Sequence, residues 1–345
     1  MNTLATQETL TASLKPKSRS KWVAAWAKTK ILQRLNQLHT GQLILLDGSD
    51  KHVFGQVKNE ADSHDSTHTP IRVSIHVHDE RFYGEIAFGG SIGAGEAYML
   101  GYWTTDNLTD VIRLLCINQS VMDALEGGYQ WLSRPIMRVL HWLNSNTTEG
   151  SRKNIAAHYD LGNDMFALFL DPTMMYSSAI FNAETGSLQQ ASELKLKTIC
   201  DKLDLQASDH VIEIGTGWGG FAIYAAKHYG CKVTTTTISK QQYELAVARV
   251  KAAGLQDQIT LLLEDYRHLQ GQYDKLVSIE MIEAVGHQFY DTYFQQVGHL
   301  LKPDGMALIQ AITIADQRYE SAKSSVDFIQ RYIFPGSAFP QTQPC

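Results

Sequence analysis

The sequence predicts an α/β fold in which a parallel sheet carries helices on both faces, preceded by a smaller α+β unit. After Ala191 the chain alternates short apolar strands with amphipathic helices at a regular spacing. Strands that are apolar throughout are buried on both faces, as parallel sheets require. The length of 345 residues corresponds to two domains at about 100–200 residues each.

The composition is that of an ordinary globular protein, with 44% hydrophobic residues and a net charge of −6. This mild acidity argues against a nucleic-acid partner. The four cysteines are far apart in sequence, which favours a reducing compartment over a disulfide framework or a zinc finger. No apolar run approaches the roughly 18–20 residues of a membrane span, and the N-terminus lacks a signal-peptide pattern. We therefore expect a cytoplasmic protein.

The first part of the chain, residues 1–40, is basic. Between Thr9 and Leu46 there are seven basic residues and no acidic one. Apolar residues recur among them at roughly helical spacing: Trp22, Val23, Trp26, Ile31, Leu32, Leu35 and Leu38. Cations with Trp and Leu are typical of a helix that lies on a membrane surface. The alternative is an amphipathic helix that packs on its own domain.

The sequence pattern of residues 41–143 predicts the smaller α+β domain. Four segments alternate apolar and polar residues and read as strands: GQLILLDGS, KHVFGQV, RVSIHVH and RFYGEIAFGG. The glycines near the end of the last segment (Gly89, Gly90, Gly93 and Gly95) are interpreted as a turn. His76 and His78 share one face of a strand, but the nearby sequence offers no third ligand, so we predict no metal. Helices follow from Asn107, and the polar stretch 144–154 is the predicted linker.

The regular alternation after Ala191 gives each remaining element. Strands are predicted at HVIEI, CKVTTTTI, ITLLLED, YDKLVSIEM and GMALIQAITI. Helices are predicted at ASELKLKTICDKLDL, WGGFAIYAAKHY, QQYELAVARVKAAG and FYDTYFQQVGHLL. A sheet of this kind binds its ligand at the carboxyl ends of its strands.

The strongest local motif is VIEIGTGWGG, which follows a predicted strand and opens a predicted helix. Gly215 and Gly217 allow a sharp turn and a close backbone approach to a ligand, and the helix N-terminus favours a negative group. NAD-binding proteins have a similar turn. The second strand here ends in Thr235–Ser239 and offers no acidic side chain for an NAD ribose. A purely structural strand–turn–helix is the alternative.

Seven segments in order resemble the cyclopropane-fatty-acyl-phospholipid synthase family, relatives of the mycolic acid cyclopropane synthases. They are HYDLGND (158–164), LDP with YSSA (170–179), EIGTGWGG (213–220), TISKQQ (237–242), DYR (265–267), SIEMIEAVG (278–286) and YDTYF (290–294). The match runs from about Tyr83 to Gly336. Members are S-adenosylmethionine-dependent enzymes of the class I methyltransferase fold.

The resemblance implies a Rossmann-like class I methyltransferase domain at 155–336, preceded by a lipid-interacting domain at 41–143. The substrates it implies are unsaturated phospholipids at the membrane surface. We expect the protein to associate peripherally with the inner membrane face and to form a homodimer, as the family does.

The resemblance also implies the residues that contact S-adenosylmethionine. Gly215 and Gly217 would lie against its methionine part, with Tyr176 and Ser177 closing over it. Thr237 and Gln242 would reach the ribose, and Tyr266 and Arg267 would border the adenine. For Tyr266, a core tyrosine is the competing interpretation.

The implied reaction is methyl transfer to the double bond of an acyl chain, followed by loss of a proton and closure of a cyclopropane ring. In this family bicarbonate is thought to be the base, and Glu283 aligns with the glutamate of the network around that anion. Ser178, Gln310 and Ile312 are the other catalytic candidates. A helix cap or surface acid is the alternative for Glu283.

Three residues near this network depart from the family pattern. Ser178 stands where many members have Cys, and Gln310 stands where well-known members have His. Gln does not titrate near neutral pH, so its role would be hydrogen bonding. Glu280 stands where a small residue is usual, and its carboxylate would repel an anion unless it points away or is paired. A methyl-branched or methylene product by the same carbocation route therefore stays open.

After Gly336 the sequence also departs from the family, and residues 337–345 form an aberrant tail. We expect the last two strands of the sheet to be missing and GMALIQAITI to be an exposed edge, which favours aggregation. We expect the chain to be compromised as an enzyme. The alternatives are an inactive, truncated remnant and a methyltransferase for a small molecule.

Overall fold

A computed structural model describes residues 21–56, 71–126, 162–323 and 325–341 of the chain. The chain divides into two compact units, Met1–Arg138 and Val139–Cys345. The predicted linker at 144–154, most of the HYDLGND motif and the first twenty residues lie outside the described residues.

The first unit contains a four-stranded sheet with helices. Its strands are β1 (Gly41–Asp47), β2 (Asp50–Gln56), β3 (Arg72–Val77) and β4 (Trp103–Thr105), in the order β2-β1-β3-β4. Strands β1 and β3 run parallel, and the other pairs are antiparallel. Its helices are α1 (Lys21–Leu35), α2 (Arg81–Met99), α3 (Leu108–Ile117) and α4 (Gln119–Glu126). The predicted N-terminal α+β region is therefore present.

One predicted strand and the turn after it are wrong. RFYGEIAFGG is the first half of helix α2, and the four glycines lie within that helix, which is kinked at Gly90 (φ 56°). Phe82, Tyr83 and Ala87 are buried on α2 at helical spacing, so core packing overrides the strand-like alternation. A Cβ on Gly93 would lie 2.0 Å from the Glu85 carbonyl oxygen, which shows how closely the two halves approach.

The basic Trp-containing segment forms α1, and part of it packs into the core of its own unit. Ile31 and Leu35 are buried, whereas Trp22 is 76% exposed. Lys28 Nζ lies 2.6 Å from an Asp47 carboxylate oxygen on β1. These contacts are those of the alternative in which the helix packs on its own domain, and membrane association remains a prediction.

His76 and His78 lie on the exposed side at the end of β3. His78 Nε2 lies 2.8 Å from Thr104 Oγ1. Within the described ranges, no group of three His, Cys, Asp or Glu residues is arranged to bind a metal ion.

The second unit contains a parallel sheet in the order β7-β6-β5-β8-β9, which confirms the predicted α/β fold. The strands are β5 (His210–Ile214), β6 (Lys232–Thr237), β7 (Ile259–Leu263), β8 (Tyr273–Ile279) and β9 (Leu301–Gln310). The helices are α5 (Asn163–Ala167), α6 (Leu188–Lys202), α7 (Gly220–Tyr229), α8 (Lys240–Ala252), α9 (Tyr290–Leu300), α10 (Asp316–Lys323) and α11 (Phe328–Tyr332).

The central strand β5 separates two apolar layers. Val211 packs with Leu196 and Phe221, which belong to α6 and α7. Ile212 and Ile214 point to the opposite face, where they pack with residues of α9 such as Tyr293 and Val297. This alternation gives the three-layer arrangement expected of a parallel sheet with helices on both faces.

Strand β9 is at the edge of this sheet within the described part of the chain, and Met306 on it is 46% exposed. Beyond β9, Ile314 forms an isolated parallel bridge with Gln341, so the tail returns to this side of the unit. No helix in the described ranges combines the length and the apolar character needed to cross a bilayer.

Candidate active site

The glycine turn follows β5 and leads into α7, as predicted. Gly215 and Gly217 have φ values of 105° and 52°, which L-residues with side chains rarely adopt. The N–H groups of Gly215 and Thr216 donate to the Thr236 carbonyl at the end of β6. A Cβ on Gly217 would meet no atom within 4 Å, so the turn presents open backbone at the carboxyl end of the sheet.

A segment of the chain before α6, residues 171–178, packs against the start of α7. A Cβ on Gly220 would lie 2.6 Å from Met175 Sδ and 2.7 Å from the Thr173 carbonyl oxygen. The Arg249 guanidinium on α8 donates to the carbonyls of Pro172, Thr173 and Trp218 at 2.8–3.1 Å. One partly buried cation thus connects the 171–178 segment to the glycine turn.

Tyr176 lies in an aromatic cluster beside the turn. Trp218 is buried, its Nε1–H donates to Asn163 Oδ1 at 2.7 Å, and its ring centroid lies 4.8 Å from that of Phe166. The Tyr176 ring meets Phe166 edge-on at 5.2 Å. Tyr176 itself is 38% exposed, so part of its side chain is accessible to solvent.

Ser177 receives a hydrogen bond from a lysine that the sequence analysis did not identify. Lys195 on α6 is 1% exposed, and its Nζ donates to Ser177 Oγ at 2.5 Å. Burial lowers the pKa of Lys195 to about 8, although the nearby negative charges of Glu280 and Asp171 favour its protonated form.

The three residues that depart from the family pattern form one hydrogen-bonded group. Glu280 Oε1 accepts from the Ser178 N–H at 3.0 Å, from Ser178 Oγ at 2.9 Å and from Gln310 Nε2 at 2.8 Å. The Glu280 carboxylate is therefore paired through hydrogen bonds. Pairing is one of the two arrangements in which it would not repel a bound anion. Its φ of 48° is unusual for a residue with a side chain, and such strain is concentrated at functional sites.

Glu283 is buried beside this group. One of its carboxylate oxygens accepts a hydrogen bond from the Ile312 N–H, while Oε2 is buried with no hydrogen-bond partner in the described part of the chain. Burial raises the pKa of Glu283. A surface acid is excluded by this burial, and the cap position of its short 3₁₀ helix is occupied by Met281. Ile312 thus contributes its backbone N–H, and its side chain is half exposed.

The residues predicted to reach the ribose lie together after β6. Thr237 Oγ1 donates to Gln242 Oε1 at 2.9 Å, and both side chains are buried. Ser239 caps α8 by accepting from the Gln242 N–H. The side-chain nitrogen Nε2 of Gln242 is then the group of this pair that can donate a hydrogen bond to a ligand.

The residues predicted to border the adenine follow β7. Asp265 accepts a two-pronged ion pair from Arg267, with Nε–Oδ1 and Nη2–Oδ2 distances of 2.8 and 2.7 Å. Tyr266 packs edge-on against Tyr293 at 5.7 Å, and burial raises its pKa to about 12. Tyr266 is only partly buried, so both earlier interpretations, adenine contact and core packing, remain predictions.

Glu213 is a buried carboxyl directly before the glycine turn. Thr235 Oγ1 donates to its Oε2 at 2.6 Å, and Thr216 Oγ1 lies 2.7 Å from Thr235 Oγ1. Burial raises the pKa of Glu213 to about 8. A neutral carboxyl at pH 7 can both donate and accept, so it can take part in a hydrogen-bonded group that connects β5, β6 and the turn.

The structure brings the predicted residues into two groups around one end of the sheet. Residues 176–177 lie on the segment that packs near the glycine turn. Ser178 and Gln310 meet at Glu280, which follows β8, and Glu283 accepts from Ile312, which follows β9. Sequence reasoning missed Lys195 and Arg249. Lys195 is four residues from Ala191 and from Ile199, both buried, and this spacing indicated that it faces the core.

Comparison with known proteins gives consistent matches. Residues 146–345 match the family model described as mycolic acid cyclopropane synthetase. The chain is 41% identical over 263 residues to tuberculostearic acid methyltransferase UfaA1 of Mycobacterium tuberculosis, covering 74% of this chain and 60% of that protein. It is 37% identical over 272 residues to cyclopropane-fatty-acyl-phospholipid synthase of Escherichia coli, covering 78% and 67%.

A solved structure agrees with these matches. The mycolic acid cyclopropane synthase CmaA1 in complex with SAH and CTAB superposes with a TM-score of 0.51 at 32% identity. The match covers 55% of this chain and 70% of that one. The chain thus spans between three fifths and about two thirds of the length of the two curated relatives named above.

Proposed function

Because the chain belongs to the mycolic acid cyclopropane synthetase family of S-adenosylmethionine-dependent methyltransferases, we propose that it methylates the double bond of an unsaturated acyl chain in a membrane phospholipid. The observation that carries this proposal is the adjacency of Ser177 and Ser178. Ser177 follows Thr173 and Met175, which pack against Gly220 at the end of the glycine turn, and Ser178 bonds to the Glu280 carboxylate. One short segment therefore joins a nucleotide-type site to a site with carboxylates.

The residues at the glycine turn fit S-adenosylmethionine, whose sulfonium supplies an electrophilic methyl group. The open backbone at Gly217 admits a ligand at the carboxyl end of β5. Gln242 offers an amide donor after β6, where an NAD-binding protein would have an acid. In this proposal Tyr176 and Ser177 close over the methionine part of S-adenosylmethionine.

Attack of the alkene on the methyl group forms a C–C bond and leaves a carbocation on the neighbouring carbon. The cation must lose a proton, and water must be excluded because it would add to the cation. Two carboxylates lie here, Glu280 and Glu283. Both can stabilise positive charge electrostatically, and Glu283 Oε2, which has no hydrogen-bond partner among the described residues, is available to orient or accept a proton.

The first candidate product is a cyclopropane. The proton leaves the new methyl group, its electron pair forms the second C–C bond, and the ring closes. Bicarbonate remains a possible base only as a prediction. Ser178 and Gln310, which would border it, donate to Glu280 in this structure, so no step here is assigned to that anion.

The second candidate product is a methylene chain, and the Glu280 group favours it. A carboxylate fixed by three hydrogen bonds stands where a small residue is usual in the family pattern. After a hydride shift from the methylated carbon, loss of a methyl proton to such a base forms an exocyclic C=CH₂ and no ring. A methyl-branched chain would further require a hydride donor. UfaA1 is named for a methyl-branched acid, tuberculostearic acid.

The phospholipid substrate, peripheral association with the inner membrane face and a homodimer are part of this proposal. The exposed Trp22 and the basic residues of α1 support a membrane-surface partner. A methyltransferase for a small molecule would need neither an exposed Trp22 nor these basic residues. A liposome-binding measurement at low and high salt separates the two, since binding to anionic headgroups weakens as salt rises.

The test is to incubate the purified chain with methyl-labelled S-adenosylmethionine and monounsaturated phospholipid vesicles, then analyse the acyl chains by mass spectrometry. We expect a labelled gain of one CH₂. A product that resists mild hydrogenation is a cyclopropane, and one that takes up hydrogen is a methylene chain. Glu280→Gln should change the product ratio or rate, whereas Glu244→Gln, at an exposed position on α8, should not. S-adenosylmethionine binding without any labelled lipid would contradict the proposal.

A further inference from the structure

We propose that Lys195 is a positioning residue that fixes the direction in which the Ser177 hydroxyl donates, toward the carboxylate of bound S-adenosylmethionine. The inference rests on the cofactor site of the proposed function and adds the residue that orients it. The family motifs do not include this lysine, and only its helical spacing from Ala191 and Ile199 indicates that it faces the core.

The geometry places the ammonium group directly behind Ser177. Lys195 belongs to the buried face of α6, next to Leu196 and Ile199, and is 1% exposed. Its Nζ lies 2.5 Å from Ser177 Oγ and 3.4 Å from the Ser177 carbonyl oxygen. Burying an ammonium is costly unless its hydrogen bonds are satisfied, so this contact is a specific one.

The chemistry of the pair sets the direction of the hydroxyl. An ammonium has three donors and no acceptor, so Ser177 Oγ must accept from it. The proton of the hydroxyl then points away from α6. On the methionine side of the cofactor, the acceptor that such a proton fits is a carboxylate, and a donor next to a cation makes a stronger hydrogen bond to an anion.

The charges that face Lys195 come from two other parts of the unit. Glu280 follows β8, and Asp171 begins the 171–178 segment. Asp171 accepts from the Thr173 N–H, Thr173 Oγ1 and Ser192 Oγ, and it also faces the Arg249 guanidinium. Both acids favour the charged lysine, while burial opposes it, and the balance gives a pKa of about 8.

This balance makes cofactor binding depend on pH. Below the lysine pKa, the ammonium compels Ser177 to donate outward. Above it, the neutral amine can accept the Ser177 proton, and the hydroxyl is no longer directed at the ligand. We therefore expect S-adenosylmethionine affinity to weaken as the pH rises from 7 to 9.

The experiment measures the Kd of S-adenosylmethionine by calorimetry at pH 7 and pH 9 for wild type, Lys195→Met, Ser177→Ala and the double variant. At pH 7 each single variant should bind about tenfold more weakly, the size expected for a lost charge-assisted hydrogen bond. The double variant should bind no more weakly than Ser177→Ala, because the lysine acts through that serine. Lys197→Met, on the same helix but exposed and paired with Asp201, is the matched control.

The ligand's own amino group titrates at about pH 8, so wild type must be compared with Ser177→Ala, which shares the ligand. We expect a steeper loss of affinity between pH 7 and 9 in wild type. A wild-type pH dependence equal to that of Ser177→Ala would overturn the inference. A Lys195→Met variant that binds S-adenosylmethionine with the wild-type Kd and differs only in a lower Tm would also overturn the inference. Should Lys195→Met fail to fold, the Ser177→Ala comparison decides alone. If the wild type binds no S-adenosylmethionine, the proposed function fails instead.

Discussion

At the scale of single residues, Glu213 makes the stability of the second unit depend on pH. Its pKa is raised from 4.5 to about 8 by burial. Between these values the unfolded chain has lost this proton and the native state retains it, so the free energy of unfolding falls as pH rises. The slope for one proton is at most about 1.4 kcal/mol per pH unit.

Glu213→Gln should remove this contribution, because the amide has the same shape, still accepts from Thr235 and does not titrate. We expect urea unfolding between pH 5 and 8 to show a decline in wild type that is smaller in the variant. Parallel curves for the two proteins would show that Glu213 does not contribute.

The backbone at Glu280 provides a second residue-scale prediction. Glu280 and the exposed Asp204 have nearly the same left-handed φ, 48° and 49°. Replacing a residue by Gly at such a position removes about 1–2 kcal/mol of strain. We expect Asp204→Gly to raise the free energy of unfolding by about 1 kcal/mol. Glu280→Gly should raise it by less, since it loses three bonds to Ser178 and Gln310, whereas Asp204→Gly loses one exposed bond from Gln206. Equal gains would show that these bonds add no stability.

Sequence motifs identified the residues that ligand geometry requires but not those that support them. Gly215 and Gly217 were predictable because only glycine suits their φ values. Lys195 and Arg249 lie in helices whose charged residues are usually solvated, and their roles depend on partners 18 and 76–77 residues away. The meeting of Ser178, Glu280 and Gln310 required the sheet to be assembled first, since they come from three different elements.

At the scale of elements, helix α2 contains one glycine that close packing requires and one that it does not. A Cβ at Gly93 would lie 2.0 Å from the Glu85 carbonyl oxygen, whereas a Cβ at Gly89 would meet nothing within 4 Å. We expect Gly93→Ala to destabilise the first unit by about 1–3 kcal/mol, since backbone cannot move aside without repacking. Gly89→Ala, in the same helix, should stabilise it by about 0.5–1 kcal/mol through helix propensity.

The measurement for this pair is thermal unfolding of the full chain, monitored by circular dichroism. Both substitutions add the same methyl group to the same helix. Opposite changes in stability therefore cannot come from the methyl group itself and must reflect its surroundings. A stabilising Gly93→Ala would contradict the close approach of the two halves of α2.

The packing of the 171–178 segment rests on Arg249. Its guanidinium donates to three carbonyls of two separate parts of the chain. Arg249→Met keeps much of the apolar stem but leaves these partly buried carbonyls without a donor, which costs about 1–3 kcal/mol each where water cannot replace it. We expect a lower Tm and weaker S-adenosylmethionine binding, because Tyr176 and Ser177 follow on this segment. A lower Tm with unchanged S-adenosylmethionine binding would show that the packing of the segment and the site are not coupled.

Element prediction succeeded where local pattern and tertiary role agreed. The alternation after Ala191 gave every strand of the parallel sheet, because buried strands and two-sided helices have distinct periodicities. Element prediction failed at RFYGEIAFGG, where aromatic residues and an apolar–polar alternation favour a strand locally. There the kink at Gly90 and the burial of Phe82 and Tyr83 are decided by contacts within the folded unit.

At the scale of the whole molecule, the residues predicted to bind the cofactor all lie between Tyr176 and Arg267, within the unit Val139–Cys345. A ligand that binds only the native state adds RT ln(1 + [L]/Kd) to the free energy of unfolding of the part that binds it. At a ligand concentration of 100 Kd this is about 2.7 kcal/mol.

S-adenosylmethionine should therefore raise the unfolding temperature of the second unit and leave that of the first unchanged. Differential scanning calorimetry of the full chain, with limited proteolysis to assign each transition, measures this. Gly93→Ala provides the complementary control, since it should lower the transition of the first unit and not the shift caused by the ligand. A single transition that moves as a whole with both the ligand and Gly93→Ala would show that the units unfold together. In that case stability gained at the cofactor site would also protect the basic, Trp-containing helix α1 that we propose for the membrane surface.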